Sequence, residues 1–262
     1  MAKHSTAYIF GFAGAVCLVC ALFVSASVVL LKDRQEENKV LDKQKKVLAV
    51  AGFMEEGEDL SSDTVKSLFA ENIEAKIIRL EDGSYIDVVD TTKFDQRKAG
   101  KDPKSSSVAP PNPAKVARVP NNAMIYQVVK DGKVKRLILP IEGKGLWSTL
   151  YGFLALESDA RTISGITFYE HGETPGLGGE VDNPQWKSLW KNRKAFESDQ
   201  LEDPAIQVVK GAAGPPTEDP HRVDGLSGAT ITSRGVSHLV RFWLGDDGFG
   251  PYLREYKEKE AS

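Results

Sequence analysis

Asp224-Gly225-Leu226-Ser227-Gly228-Ala229-Thr230 decides how this chain reads. It opens an amphipathic helix. Val236, Leu239, Val240, Trp243 and Leu244 follow at the spacing of one buried helical face, which predicts a helix from Thr230 to Leu244. The start of a helix presents free N–H groups and the positive end of the macrodipole, a setting suited to a phosphate. The small residues before this start, Ser227, Gly228 and Ala229, let such a group come close, and Thr230 and Thr232 add hydroxyls. A Ser/Thr helix cap accounts for the same residues. Ala229 stands where the G-x-S-x-G elbow of a serine hydrolase needs glycine, and the stretch lacks the lysine of a P-loop.

Upstream, Ile125–Lys130 and Val134–Leu139 flank Asp131-Gly132, a hairpin with a type I′ turn. Tyr151–Leu156 and Ile163–Tyr169 form a second strand pair. Asn183 to Phe196 reads as a helix with Trp186, Leu189 and Trp190 on one side, and Ile206–Val209 as a short strand. Strands gathered between helices give an α+β domain. No G-x-G-x-x-G follows a strand, which argues against a Rossmann nucleotide fold.

Further stretches bear on a site. Gly143-Lys144-Gly145-Leu146-Trp147-Ser148 is a glycine turn carrying a large ring. It reads either as a strand-end turn with a core tryptophan or as an aromatic wall for a flat ligand. His171-Gly172-Glu173-Thr174-Pro175-Gly176-Leu177-Gly178-Gly179 is a glycine-rich loop after a strand, a common place for function. Lys210 is either a solvated lysine or a partner for a phosphate, and Arg222 and Arg234 are weaker candidates for that role.

Tyr8 to Leu31 contains no charge and is long enough to cross a bilayer. A cleaved signal peptide is the rival, with Ser25-Ala26-Ser27 as its cleavage site, but its apolar region is ordinarily shorter. An uncleaved anchor over residues 1–34 is expected. Lys3 and His4 precede the span, while Lys32, Arg34, Lys39, Lys43, Lys45 and Lys46 follow it. A literal positive-inside count leaves the bulk of the chain in the cytoplasm. Residues 35–122 read as a membrane-proximal region. It has a short helix from Val40 to Phe53, a second helix capped by Ser61-Ser62-Asp63 and reaching Ile78, and a short strand from Tyr85 to Val89. A Lys/Ser/Pro-rich exposed loop then covers 91–122. Residues 123–262 form the main domain.

Net charge is −3, which points away from nucleic acid. Cys17 and Cys20 both lie in the apolar segment, so no disulfide framework is expected, and His4, His171, His221 and His238 follow no metal-binding spacing.

The D-G-L-S-G-A-T stretch resembles the flavinylation motif of FMN-binding domains, and most of the chain resembles the C-subunit family of sodium-translocating NADH:quinone reductases. The resemblance implies FMN joined through a phosphoester to Thr230 by a separate FMN transferase that uses FAD. It implies that Glu173, Thr174 and Leu177 line the flavin ring and that Gly176 permits close approach. It also implies membership of a multi-subunit complex in the bacterial inner membrane that passes electrons from NADH toward ubiquinone. There the soluble domain is periplasmic, against the charge count. The chain itself is expected to supply no catalytic acid or base and to bind no metal. Two alternatives stand beside this reading. One is the G-subunit of the related ferredoxin-linked electron-transport complex. The other is a membrane-anchored binding domain without a cofactor.

Overall fold

The computed structural model describes residues 5–55, 57–87 and 90–260, with the side chain of Glu260 left aside. Lys3 and His4 before the span, Glu56 in the acidic run after the first helix, and Val88 and Val89 of the expected strand lie outside the described residues.

The chain divides into two compact units, one ending at Lys43 and one beginning at Gln44. The first unit holds most of the long helix α1 (Thr6–Ala51), which is apolar enough to cross a membrane, and none of its apolar window is buried. The short helix expected over Val40–Phe53 is the end of this same helix, because no glycine or proline occurs between Gly14 and Gly52.

Within the second unit, α1 stops at Gly52, whose φ of +81° closes a Schellman turn in which Phe53 N donates to Leu48 O. Helix α2 (Ser62–Asn72) starts as expected, with Ser61 Oγ accepting from Thr64 N. It does not reach Ile78. Ile73–Arg79 is strand β1 instead, paired antiparallel to β4 from Ile73↔Val128 to Arg79↔Asn122. The segment expected to be an exposed loop folds as helix α3 (Gln96–Lys101) and the strand pair β2 (Ser106–Val108) and β3 (Arg118–Pro120). Ala114 and Val116 are buried in the core there, and Ala114 O accepts from Lys144 N. The expected boundary between residues 122 and 123 falls within β4 (Asn122–Lys130), inside the second unit.

Strands β4 (Asn122–Lys130), β5 (Lys133–Lys144), β6 (Thr149–Glu157) and β7 (Ile163–Glu170) complete an antiparallel sheet in the order β1-β4-β5-β6-β7. Asp131 and Gly132 join β4 to β5 with φ of 55° and 71°, the two positive values that a type I′ turn requires. Strand alternation sends Leu137, Leu139 and Ile141 of β5 into the main core, and Ile138 to the opposite face.

A 3₁₀ turn (Gly178–Asp182) and helix α4 (Pro184–Ser188) follow. The helix expected to continue to Phe196 ends early. Asn192 takes a φ of 65°, and the guanidinium of Arg193 turns back to Leu189 O. Trp186 and Trp190 are nevertheless buried, edge to face. Strands β8 (Gln207–Val208) and β9 (Arg222–Val223) pair in parallel. Helix α5 (Thr230–Leu244) lies on β5, and α6 (Gly250–Glu260) follows it.

The α5 face is buried as its periodicity predicts, and Trp243 Nε1 donates to Glu142 O at 2.7 Å. The helix sits close because glycine stands at the contact on both elements. A Cβ on Gly235 would stand 2.4 Å from Lys144 O, and one on Gly143 would stand 2.4 Å from Leu239 Cβ. This contact brings the start of α5 over the end of the sheet where β5 turns into β6 and β7 ends.

Candidate functional site

Three segments meet at that end of the sheet: the 145–148 turn, the 171–179 loop and the first turn of α5. One carboxylate ties them together. Glu173 is 5% exposed. Its Oε1 accepts from Trp147 N at 2.9 Å and Ser148 N at 3.2 Å, and its Oε2 from Leu146 N at 3.2 Å and Thr232 Oγ1 at 2.7 Å. Burial pushes the Glu173 carboxyl up. The bonds from the Thr232 hydroxyl and the Trp147, Ser148 and Leu146 amides outweigh burial and hold it below the ordinary glutamate value. Glu173 is therefore brought to the site as a buried tie whose oxygens are engaged by protein.

Thr230 is the first residue of α5 and is exposed, and no side chain caps the helix. It borders a cleft of about 540 Å³, together with Lys210, Ser227, Gly228, Ser233 and Arg234. Among the described residues, neither Lys210 nor Arg234 has an ion-pair or hydrogen-bond partner, and no cluster of metal-ligating side chains occurs. Ala229 is buried and its N–H returns to Leu226 O. Gly228 has a φ of +70°, and a Cβ there would stand 2.9 Å from Leu177 Cδ2, so the loop closes onto the motif at this point.

The other expected residues lie on the surface around it. Trp147 is 67% exposed, so it is not the core tryptophan that its turn alone suggests. Leu146, Leu177 and Ile231 are exposed too. Thr174 is exposed, and its carbonyl accepts from Leu177 N at 3.1 Å and Gly179 N at 2.9 Å. Pro175 and Gly176, with φ of +76° at the glycine, occupy the middle of the resulting turn in the type II manner. His171 does not join the cleft. Its Nε2 pairs with Asp182 at 2.8 Å, and its Nδ1 accepts from Glu173 N at 3.2 Å. The Asp182 bond raises its pKa above the usual imidazole value. Arg222 pairs with Asp219 at 3.6 Å and does not border the cleft.

The inward hydroxyls of α5 carry ties that the sequence reading passed over. Thr232 binds Glu173, Ser233 Oγ accepts from Leu226 N at 3.0 Å, and Ser237 Oγ accepts from Val208 N at 2.8 Å. Hydroxyl residues interleaved with the apolar face of an amphipathic helix were the available sign, since a buried hydroxyl needs a partner.

The arrangement suits FMN. Free amides at a helix start and two unpaired cations answer a phosphate, while an exposed tryptophan and leucine answer a flat ring. Residues 145–245 match the FMN-binding domain family. It is 47% identical over 249 residues to the C-subunit of the Na(+)-translocating NADH-quinone reductase of Pseudomonas aeruginosa, covering 94% of each chain. It is 47% identical over 246 residues to the corresponding protein of Vibrio anguillarum, covering 93% of this chain and 92% of the relative. The crystal structure of Shewanella oneidensis NqrC superposes with a TM-score of 0.76 at 34% identity, over 86% of this chain and 99% of that one. The chain belongs to the C-subunit family of Na(+)-translocating NADH-quinone reductases.

Proposed function

We propose that this chain is the FMN-carrying electron-transfer subunit of a membrane-bound Na⁺-translocating NADH:ubiquinone oxidoreductase. Its FMN is joined to Thr230 by a phosphoester that a separate FMN transferase makes from FAD, the threonine oxygen replacing AMP at the flavin phosphate as the pyrophosphate bond breaks and the hydroxyl proton is lost. The observation that carries this reading is the exposed Thr230 hydroxyl at an uncapped helix start, in one cleft with the unpaired Lys210 and Arg234. The helix amides and these cations hold the phosphate, and Ser227 and Gly228 leave room for it. Trp147, Thr174 and Leu177 offer the surface for the ring. Glu173 fixes the Trp147 turn against the helix that bears Thr230. FMN when bound supplies the redox chemistry, so the chain itself has only to hold and orient it. The covalent bond keeps the flavin on a shallow site that has no other means of resupply.

In this reading α1 crosses the bacterial inner membrane, the soluble domain stands in the periplasm, and the remaining subunits of the complex supply NADH oxidation and the Na⁺ path. Labelling of a Val108→Cys variant from outside the cell tests the orientation, because Val108 is exposed. Labelling only after lysis would reverse it.

The attachment is tested by mass spectrometry of the tryptic peptide Val223–Arg234 from protein made with the transferase. The expected result is a gain of FMN minus one water on Thr230. Thr230→Val is expected to fold normally and remain colourless. Covalent flavin retained by that variant, or found on Ser227 or Thr232, overturns the assignment.

A further inference from the structure

The motif begins with an aspartate, and that aspartate does not border the cleft where Thr230 lies. Asp224 Oδ1 accepts from Ala213 N at 2.9 Å, and its carbonyl accepts from Trp186 Nε1 at 2.8 Å. The Arg193 guanidinium lies within electrostatic reach of its carboxylate without bonding to it. That guanidinium is 3% exposed and holds the carbonyls of Leu189, Gly214 and Asp219. Asp224 thus ties to the 211–214 turn through Ala213 N and does not line the cleft.

The bond to Ala213 is the last rung of a ladder. Gln207 N donates to His221 O at 2.9 Å, Val209 N to Val223 O at 2.9 Å, and Gly225 N to Gly211 O at 2.8 Å. The parallel register is Gln207↔Arg222 and Val208↔Val223. The backbone rungs reach Gly211, where the chain turns with φ of +83°, and the next tie is made by a side chain. The Asp224 side chain supplies the next acceptor. Gly225 lets the two segments close, because a Cβ there would stand 2.3 Å from Val209 O. Ser237 Oγ fixes Val208 N to α5 from the other side. The residue carried between these rungs is Lys210, which borders the cleft with Thr230.

We propose that Asp224 and Gly225 are positioning residues that hold the 207–213 segment so that Lys210 stands at the Thr230 cleft, and that Asp224 does not take the Thr230 proton. The first half of the motif builds the cation side of the phosphate site, and the second half builds the helix start and the acceptor hydroxyl. This rests on Thr230 being the attachment point. A carboxylate kept for proton removal would have to face the hydroxyl. This one is engaged by a structural amide, the N–H of Ala213.

The test follows covalent flavin uptake by full-length protein in the presence of the transferase and FAD, read as the mass of the peptide that contains Thr230. Asp224→Asn keeps an oxygen acceptor for Ala213 N and loses the basicity of the carboxylate. It is expected to take up flavin within about twofold of the unsubstituted rate. Asp224→Ala is expected to be slower by roughly tenfold or more, the effect of leaving one amide without its charged acceptor. Lys210→Gln added to Asp224→Ala is expected to slow uptake no further, since both act through Lys210. Hydrogen exchange at the Ala213 amide, read without flavin, is expected to quicken in Asp224→Ala and not in Asp224→Asn. Asp224→Asn as slow as Asp224→Ala would identify a proton acceptor and overturn the proposal, as would multiplicative effects in the double variant. If the unsubstituted protein takes up no flavin on Thr230, the attachment reading fails instead, and Ala213 exchange still decides the tie. Thermal unfolding of each variant separates slow uptake from loss of fold.

Discussion

Glu173→Gln is the substitution most sensitive to the proposed architecture of the site. The change is nearly isosteric, so packing is preserved and only acceptor capacity and charge are altered. In the native protein, two oxygens accept from the amides of Leu146, Trp147 and Ser148 and from the Thr232 hydroxyl. A glutamine retains one oxygen, which can keep Trp147 and Ser148. Its amide nitrogen is a donor, so it meets Leu146 N–H donor to donor, while the Thr232 hydroxyl can reverse its role. One backbone N–H is left unsatisfied at about 1–3 kcal/mol, and the surviving bonds drop from charge-assisted to neutral strength. The summed loss is about 2–4 kcal/mol, to be read as a shift in the urea unfolding midpoint at neutral pH with the slope unchanged. The pH dependence is a second signature. The folded carboxyl lies below its unfolded value near 4.5, so its stabilisation is present above that value and is lost as pH falls through the folded value. The difference between native and variant should therefore be flat from neutral pH down to about 5 and shrink under stronger acid. A loss under about 0.5 kcal/mol, or a difference that grows on acidification, would refute the claim that this carboxylate holds the three segments together.

Gly235→Ala places a Cβ 2.4 Å from Lys144 O, a backbone atom that cannot swing aside, so α5 must lift from β5. The expected cost in urea is about 1–3 kcal/mol, and a neutral result would mean that the helix does not approach as closely as described. Gly132→Ala has free space around its Cβ and only a φ of 71° to maintain. It should cost about 1 kcal/mol by the same assay, and loss of the fold would contradict a purely local turn effect. Asp182→Asn removes the partner that raises the His171 pKa, so an NMR titration of His171 should move back toward 6.5. A folded value above the unfolded one stabilises below the unfolded pKa, and this is lost as pH rises through the folded pKa. The variant should therefore lose more stability in mild acid than in mild alkali, by no more than about 1 kcal/mol after solvent screening.

Elements with one dominant period or a turn of fixed chemistry were legible in the sequence. Helix α5 and the Asp131-Gly132 hairpin are of this kind, since their apolar spacing and turn residues admit a single solution. Ile73-Glu74-Ala75-Lys76-Ile77-Ile78 admits two. Ile73 and Ile77 satisfy a helical face, yet the β-branched residues also suit a strand, and the pairing edge of β4 decides between them from a distance in sequence. The 91–122 segment misled in another way. Its polar and proline-rich composition is that of a loop, while Ala114 and Val116 enter the core through contacts that composition does not encode. At the site, the motif and the glycine-rich loop were legible as separate stretches. Their junction was not, because the bonds from Glu173 to residues 146–148 and to Thr232 join segments far apart in the chain.

That junction also bears on selectivity. The motif region offers hydroxyls at Ser227, Thr230, Thr232 and Ser233, and a modification confined to one of them needs a physical basis. Successive residues of a helix turn by about 100°, so Thr230 and Arg234 share its outer face, Thr232 points away, and Ser233 borders the same cleft with its hydroxyl turned to Leu226 N. Thr232 is fully buried and gives its proton to Glu173, and Ser233 is buried and accepts from Leu226 N. Ser227 is exposed but stands before the turn at Gly228, outside the helix. Of these four hydroxyls, Thr230 alone combines exposure, a place in the first helical turn, and a cation one turn further along the same face. The buried hydroxyls thus fix the rotation of α5 about its axis, and that rotation determines which threonine faces the cleft.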